Sequence, residues 1–221
     1  MRKSFAITII LALLAVCFCS IVFFTDRPLA FVSIKSNKKF AAIAIRDNVD
    51  KFQKYGTRLF TFPFLKKNYQ TVVYFTQNEP GDKKQDFLKS VSDLLRDNDS
   101  LDIFLLAHSN SYWEWMEEIK DKSLLSRIRL VYNTGCSGYS QAEQWKTIGA
   151  KYYVAHRSSQ SISPVFYFYF LRRYCAGMPL QESTSQANFA MHEKLRRLNR
   201  LSLGCISVDE QIEFESEGKQ W

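Results

Sequence analysis

The chain has 221 residues, of which 46% are hydrophobic and 24% are charged, the proportions of a folded protein with a hydrophobic core. Its 18 phenylalanines and 11 tyrosines favour a domain with a β-sheet and exclude a largely disordered polypeptide. The net charge of +8 comes from scattered Lys and Arg, so no binding of nucleic acid is expected, and no zinc-finger, phosphate-loop or dinucleotide motif occurs.

The first feature along the chain is an uncharged, apolar stretch at residues 5–24, which follows Arg2 and Lys3. At about 1.5 Å per helical residue, this stretch spans the roughly 30 Å hydrocarbon core of a bilayer. We therefore predict a short tail at 1–4, a transmembrane anchor at 5–24 and a linker at 25–40. A cleaved signal peptide and a buried helix are the alternatives, although no cleavage site with small residues is evident.

The charges beside this stretch bear on orientation. Arg2 and Lys3 favour a cytoplasmic N-terminus, while the linker carries as much positive charge on the other side. We expect a single-pass membrane protein whose domain, residues 41–221, lies on the non-cytoplasmic side.

From residue 41 onward, strand and helix patterns alternate. Apolar runs predict strands at 41–45, 70–76, 101–107, 129–133 and 150–155. Helices are predicted at 48–60, 83–97, 141–149, 163–177 and 180–198, from apolar spacing and from Pro and Gly at the expected ends. This alternation predicts an α/β fold, a three-layer sandwich in which helices flank both faces of a mostly parallel sheet.

The cysteines and histidines do not form a metal motif. Cys17 and Cys19 lie in the predicted anchor, which leaves Cys136, Cys175 and Cys205 in the domain. An odd number of cysteines leaves at least one thiol free. No Cys-x-x-Cys pair occurs and the remaining histidines are far apart in sequence, so we expect no metal or other cofactor.

Two predicted strands end in reactive side chains. The run LDIFLLA is followed by His108, and RLVYNTG is followed by Cys136. The intervening chain is long enough for one crossover helix, so the two strands can lie side by side. Ligands of open α/β sheets bind beyond the carboxyl ends of the strands, so both side chains are predicted to share one rim.

A histidine after one strand and a cysteine after the next resemble the caspase-like cysteine peptidases, a group that includes caspases, legumains, gingipains and bacterial CHAT domains. The segment IGAKYYVAHRSSQSISPVFYFYFLRRYCAGMPLQESTSQAN is most similar to the CHAT and legumain-like branch. The resemblance covers residues 100–190 approximately. The chain departs from the family pattern in having Ser109 where a glycine usually follows the histidine, and in its short separation between His108 and Cys136.

The resemblance implies hydrolysis of a peptide or protein substrate by a dyad of His108 and Cys136. A nearby imidazole raises the thiolate fraction of a cysteine or takes its proton. Backbone N–H groups of Ser109 and Cys136 would hold the oxyanion, each donor contributing roughly 3–4 kcal/mol. Two glycines would let the backbone approach the scissile carbonyl, and one arginine would form a pocket for an acidic side chain. These residues are Gly135, Gly138 and Arg157.

Two other functions remain open from the sequence. An inactive, membrane-tethered interaction domain would have the same fold. Alternatively, Thr134 to Gly138 matches the nucleophile elbow of α/β-hydrolases, with Cys136 as the nucleophile and with Glu143 and His156, or His192, as its partners. The substrate, the activation mechanism and the oligomeric state do not follow from the sequence.

Overall fold

The computed structural model describes residues 9–16, 40–47, 61–108, 110–157, 163–201 and 214–217. Its strands are β1 (Ala41–Arg46), β2 (Thr71–Thr76), β3 (Leu101–Leu106), β4 (Ile128–Asn133), β5 (Tyr152–His156) and β6 (Phe214–Glu217). They form one sheet in the order β2-β1-β3-β4-β5-β6. The first five strands are parallel, and β6 is antiparallel to β5. The predicted α/β fold with a mostly parallel sheet is therefore confirmed.

Helices cover both faces of the sheet. They are α1 (Phe62–Asn68), α2 (Lys84–Asp97), α3 (Tyr112–Met116), α4 (Ala142–Ile148), α5 (Ser163–Cys175) and α6 (Leu180–Leu201), with 3₁₀ turns at Lys122–Arg127 and Gly138–Gln141. One hydrophobic cluster joins the sheet to α2, α3 and α4, and a second joins the opposite face to α1, α5 and α6. The described domain thus has three layers.

Apolar spacing explains how these layers form. In α2, Phe87, Val91, Leu94 and Leu95 recur at helical intervals and are all buried against the sheet. Every residue of β3 is buried, as expected for a strand covered on both faces. Burial of each such large apolar side chain contributes about 1.5–3 kcal/mol. The helix predicted at 83–97 and the strand predicted at 101–107 are confirmed to within one residue at each end.

Three elements were not predicted: α1, α3 and β6. The first two are short, and β6 has the sequence FESE, which lacks an apolar run. The helix predicted at 48–60 lies outside the described residues. Of the anchor predicted at 5–24, only residues 9–16 are described, and they are helical. None of the helices within the described ranges is both long enough and apolar enough to cross a membrane.

Candidate active site

The two reactive residues lie beyond the ends of neighbouring strands. Leu105 of β3 pairs with Asn133 of β4 in the last registered step of that parallel ladder. His108 lies three residues after Leu105, and Cys136 lies three residues after Asn133. The prediction that the two strands lie side by side is therefore confirmed.

Thr134 joins the two strand ends. Its backbone N–H donates to the Leu105 carbonyl over 2.9 Å, and its hydroxyl oxygen accepts from the Ala107 N–H over 3.0 Å. These bonds continue the contact between the strands past the last paired residues. Thr134 therefore holds together the beginnings of the two loops that carry His108 and Cys136.

Gly135 brings the two loops into closer contact. A Cβ atom added to this buried residue would lie 2.5 Å from the His108 carbonyl oxygen and 2.6 Å from Nδ2 of Asn110. Only glycine fits this gap without displacing its neighbours. Cys136 is the next residue along the chain, so its Cα atom lies about 3.8 Å from that of Gly135. The close approach at Gly135 is therefore to the end of β3, and its predicted approach to a substrate carbonyl stays a prediction.

Cys136 occupies a tight turn. The Gly138 N–H donates to the Gly135 carbonyl over 2.9 Å, which closes a four-residue turn with Cys136 second and Ser137 third. Ser137 has φ 53° and ψ 24°, the only positive φ among the described non-glycine residues. A positive φ at the third position of a turn favours glycine, which adopts it without steric cost. A serine there costs about 1–2 kcal/mol, and such strain concentrates at functional sites.

A buried polar network supports this turn, and Asn133 is at its centre. Its Oδ1 accepts from the Gly135 N–H over 2.8 Å and from Asn110 Nδ2 over 3.1 Å. Its Nδ2 donates over 3.0 Å to the hydroxyl of Tyr153, which in turn donates to the Gly138 carbonyl over 2.6 Å. Asn133 is fully buried, so a single side chain fixes both ends of the turn that carries the cysteine.

Both candidate catalytic side chains are accessible to a substrate. His108 is exposed and Cys136 is partly exposed. Within the described part of the chain, the backbone N–H groups of Cys136 and Ser137 donate no hydrogen bond. Two successive free N–H groups beside a thiol can stabilise a negatively charged oxygen. Ser109, the other predicted oxyanion donor, lies outside the described residues.

A cleft of about 340 Å³ opens beside His108, at the carboxyl ends of β1, β2 and β3. Asp47 follows β1 and Gln77 follows β2, so the rule that led to His108 and Cys136 also applies to these residues. The sequence does not single out Asp47 or Gln77, because their roles depend on tertiary contacts with each other and with Tyr112. The described residues around the cleft are Asp47, Gln77, Glu79, Pro80, Gly81, His108, Asn110, Ser111, Tyr112 and Trp115.

Asp47 is held in a defined position at the wall of this cleft. Gln77 donates to its Oδ1 over 2.8 Å, and the hydroxyl of Tyr112 donates to the same oxygen. Burial and the neighbouring Asp47 raise the pKa of Tyr112 above its ordinary value, so the tyrosine remains a neutral donor. The other carboxylate oxygen, Oδ2, accepts no hydrogen bond and no ion pair from the described residues.

The remaining predicted residues lie around the same rim but have other contacts. Arg157 is exposed and its guanidinium lies 4.0 Å from the ring centre of Tyr139. His156 is fully buried, with its Nε2 3.4 Å from the Thr134 carbonyl oxygen. The side chain of Glu143 is 75% exposed and pairs with Lys146.

Cys175 is buried in α5, whereas Cys205 lies outside the described residues. Within the described ranges, no three side chains of His, Cys, Asp or Glu come together as metal ligands. Of the two cysteines described in the domain, Cys136 is partly exposed and Cys175 is buried.

A comparison with models of known protein families and with curated proteins finds no match to this chain.

Proposed function

We propose that this protein is a membrane-anchored cysteine peptidase with a caspase-like fold, in which His108 and Cys136 hydrolyse a peptide bond. One observation carries the proposal. The two residues follow adjacent parallel strands at equivalent distances from the last paired residues, and the close contact at Gly135 links the two loops.

In the first step, the sulfur of Cys136 attacks the carbonyl carbon of the scissile bond. His108 accepts the thiol proton, and the carbonyl π electrons move to oxygen. The resulting oxyanion accepts hydrogen bonds from the free N–H groups of Cys136 and Ser137. Ser109 adds a third donor if its N–H faces the same oxygen.

In the second step, the tetrahedral intermediate collapses. The bond from carbon to nitrogen breaks, and His108 returns its proton to the leaving amine. A thioester between the substrate acyl group and Cys136 remains. Water then attacks the thioester carbon while His108 accepts a proton from that water. The bond from carbon to sulfur breaks, and His108 returns the proton to the Cys136 sulfur, which regenerates the thiol and releases a carboxylic acid.

The fold favours Cys136 over Cys175 as the nucleophile. Cys175 is 1% exposed inside an apolar helix, where no substrate reaches it. Cys136 is partly exposed and follows a strand that neighbours that of His108. Its own N–H and that of Ser137 donate no hydrogen bond to any described residue. Reactive thiols combine such access with a nearby base.

The membrane anchor is part of the proposal, with the domain on the non-cytoplasmic side. Its support is the described helical segment 9–16, in which the large apolar side chains are exposed. Such side chains prefer the interior of a bilayer to water. The protein should stay with membranes after an alkaline carbonate wash, whereas a shortened soluble form starting beyond residue 24 would show a cleaved signal peptide.

The test uses the full-length protein in detergent with a library of quenched fluorescent peptides. We expect cleavage by wild type and by Cys175→Ser, and at least a 10³-fold loss in Cys136→Ala and His108→Ala. Activity should resist a chelator and disappear with a thiol alkylator. Cleavage that persists in both dyad variants would refute the proposal, and a folded wild type that cleaves no peptide would identify an inactive interaction domain.

The structure does not favour the α/β-hydrolase alternative. Among the described residues, the carboxylate of Glu143 pairs with Lys146 and makes no hydrogen bond to His156. A hydrolase triad needs an acid that orients its histidine. The His108→Ala variant separates the two mechanisms, because a hydrolase that used His156 would retain its activity.

A further inference from the structure

The cleft beside His108 has an acidic and aromatic wall. Asp47 and Glu79 supply negative charge, and Tyr112 and Trp115 supply aromatic rings. None of the described residues that line the cleft is Lys or Arg. Lys84 Nζ lies 6.0 Å from the ring centre of Trp115, and this ammonium group forms an ion pair with Glu118. The described lining of the cleft therefore carries carboxylates and no Lys or Arg, in a protein of net charge +8.

Asp47 is prepared to accept a cation. One of its oxygens is fixed by Gln77 and Tyr112, and the other has no partner among the described residues. A carboxylate that is already oriented loses little freedom when it binds a charged donor. A Lys or Arg side chain brings both that donor and an aliphatic stem, which can pack on the neighbouring rings.

The position of the cleft indicates which substrate residue enters it. His108 lines the cleft, whereas Cys136 is absent from the described residues around it. The sulfur of Cys136 must reach the scissile carbonyl, and His108 must come within about 2.6–3.2 Å of the leaving nitrogen to protonate it. The residue that carries this nitrogen therefore lies on the His108 side of the scissile bond.

From these observations we infer that the cleft binds a Lys or Arg side chain of the residue immediately after the scissile bond, with Asp47 as the specificity-determining carboxylate. This inference rests on the proposed function, since it assigns a substrate class to the same rim. It differs from the pocket predicted at Arg157, which would accept an acidic side chain.

The first experiment measures binding without cleavage. The full-length Cys136→Ala protein is titrated with two fluorescein-labelled peptides, Gly-Ala-Ala-Lys-Ala-Gly and its Gln counterpart, and fluorescence anisotropy gives each Kd. We expect the Lys peptide to bind at least tenfold more tightly. Adding Asp47→Asn keeps an acceptor for Gln77 and Tyr112 but removes the charge, so the preference should fall to less than threefold.

The control is Asp86→Asn, which removes the same charge from an exposed position of α2 outside the cleft. It should leave the preference for the Lys peptide intact. Equal binding of the two peptides to the Cys136→Ala protein would overturn the inference. So would a preference that Asp47→Asn and Asp86→Asn reduce to the same extent.

The second experiment determines which residue follows the cleaved bond. Wild-type protein is incubated with a proteome-derived peptide library, and mass spectrometry identifies the new amino termini. Lys and Arg should be enriched at these termini, and new termini without that enrichment would overturn the inference while the proposed peptidase function stands. A binding preference for the Lys peptide without any cleavage would support a cleft that binds cationic side chains and would refute the peptidase.

Discussion

Replacing Gly135 with alanine tests whether the contact between the two loops holds the site together. The added methyl group would lie 2.5 Å from a backbone carbonyl oxygen and 3.0 Å from Oδ1 of Asn133. Backbone cannot rotate away as a side chain can, so the His108 loop or the turn at Cys136 must shift. Such overpacking costs about 1–3 kcal/mol.

The shift also strains the buried network. Asn133 Oδ1 holds both the Gly135 N–H and Asn110, and each bond lost at a buried group costs about 1–3 kcal/mol. We therefore expect Gly135→Ala to lower the free energy of unfolding by about 2–4 kcal/mol. At about 2–4 °C per kcal/mol for a chain of this size, the melting temperature should fall by about 4–16 °C. Peptide cleavage should fall by more than tenfold even well below the melting temperature.

Gly138→Ala is the matched control within the same turn. A Cβ atom at this position would lie 3.3 Å from atoms of the Asn133 side chain and 3.4 Å from Cβ of Ala155, so small displacements suffice. Urea denaturation of wild type and both variants gives the comparison. The reasoning would be refuted if Gly135→Ala matched wild type in stability and cleavage, or if Gly138→Ala proved the more damaging change.

Three further predictions concern local strain, a buried ion pair and pH. Ser137→Gly should be more stable than Ser137→Ala by about 1 kcal/mol, because glycine adopts the positive φ of this position without steric cost. Urea denaturation of the two variants measures the difference, and the opposite order would exclude strain at this turn. Asp102→Ala should destabilise the protein by about 3–5 kcal/mol, because the fully buried carboxylate binds both Arg129 and the Tyr69 hydroxyl. A loss under 1 kcal/mol would show that the ion pair of Asp102 and Arg129 is dispensable. Besides Tyr112, burial raises the pKa of four other tyrosines, which stay protonated in the folded state while the unfolded state ionises near pH 10; they are Tyr69, Tyr132, Tyr167 and Tyr174. Their contribution to stability is therefore complete below about pH 10 and is lost as the pH rises further, by up to about 1.4 kcal/mol per tyrosine and pH unit. The urea midpoint should fall steeply between pH 10 and 11, and an unchanged midpoint would contradict this.

The fold could be predicted largely because its core elements have strong periodic signals. The buried run of β3 and the spacing of Phe87, Val91, Leu94 and Leu95 in α2 leave few alternatives. By contrast, α3 has only five residues and is held by packing of Tyr112 and Met116, which no local pattern reveals. The sixth strand, FESE, lacks an apolar run and owes its place to pairing with β5.

The site was predictable only where strand ends carry reactive side chains. His108 and Cys136 were found because each follows an apolar run, and parallel strands bring their carboxyl ends to one rim. The roles of Asn133 and Asp47 depend on tertiary contacts that sequence spacing does not encode. Asn133 bonds to the loop after β3, to the turn after β4 and to Tyr153 within β5. Asp47 is oriented by residues 30 and 65 positions away.

The reactivity of Cys136 tests the central claim of a dyad most directly. Folded wild type and His108→Ala are treated with limiting iodoacetamide, and mass spectrometry gives the labelling rate of each cysteine. The account predicts that Cys136 reacts ahead of Cys175 and Cys205 and that its rate falls several-fold in the variant, because alkylation is faster when an imidazole accepts the thiol proton. Equal labelling of Cys136 in both proteins, or its protection in both, would contradict a dyad of His108 and Cys136.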